Sequence, residues 1–162
     1  EPQTVRDLAV RSFVEVVLGF VTPTGHPLGG KREARFSSCV GSRLIVPAEP
    51  LAVYEQISVL EGTTGVVIDR AVSSDNIQMI TSLVLQGIGI GVLTSLDVIT
   101  EVQRGLLSFT KISDPILRPM TLALCTASAR TPSYAAGIAL QEIENGFPQL
   151  SYPISIDGPA MT

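Results

Sequence analysis

The chain has 162 residues, of which 45% are hydrophobic, 16% charged and 5% aromatic, with no Trp. This supports a globular core of Val, Ile, Leu and Ala, large enough for one domain or two small lobes. A net charge of −4 and a pI near 4.9, without a Lys/Arg cluster, exclude a face built to grip nucleic-acid phosphates.

In chain order, "VRDLAVRSFVEVVLGFVT" (residues 5–22) is rich in Val and Phe and predicts one or two strands. "PTGHPLGG" breaks the chain with Pro and Gly, and residues 34–42 have room for a short helical turn. "RLIVPA" predicts a strand ended by Pro47. From Pro50, Leu51, Val53, Tyr54, Ile57 and Leu60 recur at helical spacing, with Gly62 as the stop. "GVVIDRAV" predicts a strand, "DNIQMITSLVLQ" a helix, "GIGIGVL" a strand, "SLDVITEVQR" a helix closed by Gly105, and "LLSFTKI" a strand. "MTLALCTA" is a further strand, and Thr131 and Pro132 open a helix running to about Asn145, with proline at the first helical position. Gly146 and Pro148 stop it, and "QLSYPISIDGPAMT" has no period and is expected to be a tail.

Strands alternating with helices of about ten residues predict an α/β fold, with a mainly parallel sheet over 43–112 and helices near 50–61, 75–86 and 96–104. Asp75 and Gln78 stand at the spacing of a capping box, Ile77, Ile80, Leu83 and Val84 form the apolar stripe, and Gly87 ends the helix in a left-handed turn. Gly89 and Gly91 share one face of the next strand, where a helix can approach closely.

No apolar run reaches the length of a membrane span and no signal peptide is visible, so a cytoplasmic setting is expected. The chain begins at Glu1 rather than Met, as a processed chain or an excised fragment would. Cys39 and Cys125 lie in no metal-spaced pattern and predict structural thiols, with one disulfide left open as an alternative.

The glycines of "GIGIG" follow a helix and open a strand, the reverse of a dinucleotide loop. His26 sits in a turn without partners for a triad or a metal site, and Asp114 before Pro115 reads as a turn residue. No pair of acids has a catalytic spacing, and no cofactor is implied. What remains are three strand-to-helix junctions, Val46-Pro47-Ala48-Glu49, Ser73-Ser74-Asp75-Asn76 and Leu93-Thr94-Ser95. Each is either an ordinary cap or part of a site at the carboxyl ends of the strands, where hydroxyls and free N–H groups hold a small polar ligand.

From Ser73 onward, "SSDN", "IQMITSLVLQG", "IGIGVLTSLDVITEVQRGLL" and "GLLSFTKISDP" resemble, in order and spacing, the effector-binding domain of LysR-type transcriptional regulators. "LGFVTPTGHPLGG", "RLIVPA" and "MTLALCTASARTPSYAAGIALQEI" resemble further elements of that family, extending the resemblance over about residues 13–147. Thr94 departs from it, standing where the family usually carries Pro. The resemblance implies a periplasmic-binding-protein-like (type 2) fold with an incomplete first lobe. Residues 13–117 would be the second lobe, 1–12 and 118–147 part of the first lobe and the hinge strands, and 148–162 a C-terminal tail. It places Pro47, Ala48, Ser74, Asp75, Thr94 and Ser95 against an interlobe cleft that binds a small-molecule effector, a small organic acid among the candidates. It implies a non-enzymatic, homo-oligomeric regulator, with "DNIQMITSLVLQ" offering a face to a partner subunit. DNA contact would pass only through an N-terminal winged helix-turn-helix that these residues do not include. A solute-binding protein of a transport system and a small α/β enzyme are the alternatives. The charge balance predicts that this chain alone gives no gel shift with duplex DNA at modest salt; a tight, salt-sensitive shift would contradict it.

Overall fold

A computed structural model describes residues 8–127 and 131–154. The chain builds two sheets joined at a narrow waist. Strand β1 (Leu8–Val16) pairs antiparallel with β8 (Met120–Ala127), with a bulge between Val10 and Ser12. The second sheet holds β2 (Leu18–Pro23), β3 (Glu33–Ala34), β4 (Arg43–Pro47), β5 (Asp69–Ser74), β6 (Ile90–Thr94) and β7 (Leu107–Ile112). Their order is β3-β7-β2-β6-β4-β5. The pairs β4–β5, β4–β6 and β3–β7 are parallel, whereas β2 runs antiparallel to both β6 and β7. The sheet is therefore mixed: five strands share one direction and β2 lies reversed at its centre.

Helices α1 (Ala52–Thr64), α2 (Ile77–Leu85), α3 (Ile99–Gln103) and α4 (Tyr134–Gly146) complete the chain. Alternation along the strands feeds two cores. Phe20, Leu44, Val46 and Val92 pack with Val53, Ile57 and Leu60 of α1 on one face. Val21, Ile45 and Leu93 pack with Ile80 and Val84 of α2 and with Val98 on the other. Cover on both faces is why these strands read as continuous apolar runs. Burying each such Leu or Ile contributes about 1.5–3 kcal/mol.

Close approach of α2 depends on Gly91, where an added Cβ would lie 2.9 Å from Val84 Cγ2. Gly89 meets strand backbone instead, its added Cβ falling 2.6 Å from the Arg43 carbonyl oxygen. Gly87, at φ 72°, makes the left-handed turn expected of it.

Three local expectations are corrected. Helix α1 runs past Gly62 to end at Gly65, whose φ of 69° supplies the left-handed cap. The cap of α2 is Asn76, whose Oδ1 accepts the Met79 N–H at 3.1 Å, and Asp75 stands one residue too early. Pro132 precedes α4 rather than opening it, because Ser133 is the cap, its Oγ accepting the Ala136 N–H.

Residues 147–154 pack back onto the molecule. A 3-10 turn at Phe147–Leu150 buries Phe147 against Val14 and Val16. Among the described residues no helix is long and apolar enough to cross a membrane. The capping geometry predicts that Asn76→Ala costs about 0.5–2 kcal/mol of stability in urea melts. Asp75→Ala, at an exposed position outside the cap, should stay within about 0.5 kcal/mol.

Candidate functional site

Because β6, β4 and β5 are parallel neighbours, their carboxyl ends share one edge of the sheet. All three junctions singled out in the sequence lie there. Strand β2, running the other way, starts at the same edge, with Leu18 opposite Thr94.

The first two junctions are stitched together. Pro47 is buried and lies opposite Ser74, and the Ala48 N–H donates to the Ser74 carbonyl at 2.9 Å. Ser74 is half-buried; its Oγ accepts the Asn76 N–H at 3.1 Å and sits 3.7 Å from the Met79 sulfur. Asp75 is exposed. Ala48, Ser74 and Asp75 thus form the open part of the edge, beside the start of α2, whose first N–H groups have no intrahelical partner.

The third junction is closed on itself. Thr94 Oγ1 and its backbone N–H both donate to Asp97 Oδ2, at 2.7 and 2.9 Å, and the Asp97 N–H returns to Thr94 Oγ1 at 3.3 Å. Ser95 is only 1% exposed. Its N–H donates to the Val17 carbonyl at 2.9 Å and its Oγ accepts the Val17 N–H at 3.3 Å. Val17 is the single residue between β1 and β2, so Ser95 fastens the carboxyl edge to the chain crossing between the two sheets. Thr94 and Ser95 form the floor of the edge, with their polar groups already engaged. Asp97 escaped the sequence reading, although Thr94-Ser95-Leu96-Asp97 has the spacing of a reciprocal cap.

Concave space borders this edge. One cavity of about 340 Å³ is lined by Val17, Leu18, Glu33, Lys111 and residues 112–115 and 117–119. Another, of about 360 Å³, is lined by Glu49, Pro50, Leu51, Tyr54 and Glu55. A third, of about 790 Å³, separates β1 and β8 from α4 and is lined by Arg11, Gln141 and Glu144 among others. None of the six candidate residues lines these three cavities.

Two further side chains singled out in the sequence, His26 and Asp114, have structural partners. His26 Nδ1 accepts the Leu28 N–H at 3.1 Å, which starts a 3-10 turn. An Asp114 carboxylate oxygen accepts the Phe36 N–H. Cys39 and Cys125 are both free. Burial pushes the Cys39 thiol up to about 11; its own backbone hydrogen bond pulls the other way, while Glu61 and Asp114 add to the rise. Cys39 therefore stays protonated, and un-nucleophilic, at neutral pH. Among the described residues no group of His, Cys, Asp and Glu is placed to hold a metal ion.

Residues 1–147 match the family model described as the LysR substrate binding domain. The chain belongs to that family. Its type 2 periplasmic-binding-protein-like fold recurs in solved members. The effector-binding domain of QuiR, in complex with shikimate, matches with a TM-score of 0.60 at 13% identity, over 92% of this chain and 69% of that one. The regulatory domain of CcmR from Synechocystis PCC6803, in complex with 2-PG, matches with a TM-score of 0.62 at 20% identity, over 90% of this chain and 69% of that one. HinK, a LysR family transcriptional regulator from Pseudomonas aeruginosa, matches with a TM-score of 0.61 at 14% identity, over 93% of this chain. This chain spans only 52% of HinK, about half its length. At these identities the likeness is one of fold. No curated protein matches the chain.

Within this LysR-family domain, the Ser95–Val17 pair makes a specific demand. Ser95→Ala strands a buried backbone N–H and should lower stability by about 1–3 kcal/mol in urea melts, whereas the half-buried Ser74→Ala should change it by about 0.5 kcal/mol or less.

Proposed function

We propose that this chain is the ligand-sensing part of a LysR-type transcriptional regulator. It binds a small-molecule effector at the carboxyl edge of β4, β5 and β6. The observation that carries this reading is the meeting of three strand-to-helix junctions at one edge, fastened through Ser95 to the crossing between the two sheets. A ligand that favours one arrangement of the two sheets over another shifts their equilibrium by its difference in affinity, which is what a sensor requires.

Residues 13–117 act as the second lobe, with 1–12 and 118–147 as hinge strands and part of the first lobe, and 148–162 following them. The effector lies over Pro47, Ala48, Ser74 and Asp75, with Thr94 and Ser95 beneath it. Hydroxyl and backbone N–H donors suit a small organic acid, the chemistry of the ligands held by QuiR and CcmR. Asp75 disfavours a strongly anionic group against its own turn. The domain works without a cofactor and without catalysis. The family match favours the regulator over a transport or enzymatic role. Apolar side chains left exposed on α2, Met79 and Leu85, support a homo-oligomer, with α2 facing a partner subunit. DNA is contacted by a winged helix-turn-helix outside these residues, in the cytoplasm.

The test is a thermal-shift screen of small organic acids against the regulator containing this chain. A true effector at about 100 times its Kd adds roughly 2.7 kcal/mol of stability. Ser74→Ala should weaken that effector about fivefold, the loss of one hydroxyl contact, and Ala48→Leu should block it while both variants melt normally without ligand. An unchanged dose-response in both variants would place the effector elsewhere.

A further inference from the structure

Two covalent crossings join the sheets, one at Val17 and the other over residues 113–119 between β7 and β8. Two connections alone leave rotation about the line through them free. Beside the Ser95–Val17 pair and Leu96, a further non-covalent crossing is present after α4. The Tyr152 N–H donates to the Glu15 carbonyl at 2.9 Å, tying the segment to the end of β1. The Tyr152 ring then lies on β7: its centroid is 5.8 Å from that of Phe109 at a tilt of 57°, and Lys111 Nζ stands 5.9 Å from it. Gly19 on β2 makes the seat, since a Cβ there would run into the Phe109 ring. Burial raises the pKa of the Tyr152 hydroxyl; Arg32 opposes the rise and Glu33 adds to it, as expected for a ring lodged on the sheet rather than free in water.

We infer that Ser151–Ile154 is a strap that sets the angle between the two sheets, with Tyr152 as its anchor on Phe109 and Lys111. The contact suits a strap that must release. A tilted aromatic pair and an exposed cation–π contact are individually weak, so the anchor biases the angle without freezing it. The inference concerns the hinge alone and stands whether or not the carboxyl edge holds the effector.

The absence of Trp from these 162 residues supplies the test, made in this chain. Tyr152→Trp introduces a single emitter, expected to be blue-shifted and shielded from acrylamide. Adding Phe109→Ala should red-shift it and raise its quenching. Amide hydrogen exchange then reads the hinge. Tyr152→Ala should speed exchange about tenfold at Val16–Leu18 and along 113–119, while Leu44–Val46 and Val92–Leu93 keep their protection. Tyr152→Phe should exchange like the parent, because the ring makes the contacts. A fully solvent-exposed Trp signal, unchanged hinge exchange in Tyr152→Ala, or acceleration spread equally over the whole sheet would each overturn the strap.

Discussion

The two hydrogen bonds between Ser95 and Val17 are the constraint on which the arrangement depends. Both residues are buried, so neither backbone group of Val17 has water as an alternative partner. The pair holds the chain where it leaves β1 and enters β2. That sends β2 back through the middle of the sheet, antiparallel to β6 and β7, and brings the waist alongside the carboxyl ends of the parallel strands. A group bound at that edge sits within one residue of the crossing. Leu96 extends the link, packing into the small core of Val14, Val16 and Phe147 on the other side of the waist.

The two sides of the waist are stabilised differently. The six-stranded sheet is sandwiched, with α1 on one face and α2 and α3 on the other, and its glycines mark where backbone and helix close in. Among the described residues the β1–β8 ribbon has no comparable cover. Phe13 is 71% exposed, Tyr134 87%, and α4 buries none of its side chains. The Arg11–Glu144 ion pair reaches from β1 to α4 across the cavity between them, and at this exposure such a pair contributes at most about 1 kcal/mol.

Polar chemistry is used for fastening. Thr110 Oγ1 donates to the carbonyls of Leu28 and Lys31, Asp97 closes the turn after β6, and Asp114 anchors the start of the 3-10 turn at Phe36–Cys39. Burial keeps the Cys39 thiol protonated as well.

The sequence by itself determined what depends on neighbours a few residues apart. The apolar spacing of Val53, Ile57 and Leu60 marks α1, the runs at 44–46 and 90–93 mark doubly covered strands, and Gly87 marks the end of α2. Tertiary structure decided the rest. Strand direction leaves no local trace, because a period of two reads the same both ways, so the reversal of β2 was invisible. Asp75 and Asn76 are equally good caps by composition, and the point where β5 releases the chain selects Asn76. Ser95 reads as a helix-start serine; only the fold brings Val17, 78 residues away, into hydrogen-bonding range. The aperiodic segment after α4 has no pattern to read, since Tyr152 and Phe109 meet through long-range packing, and a contact of that kind is set by shape rather than by spacing along the chain.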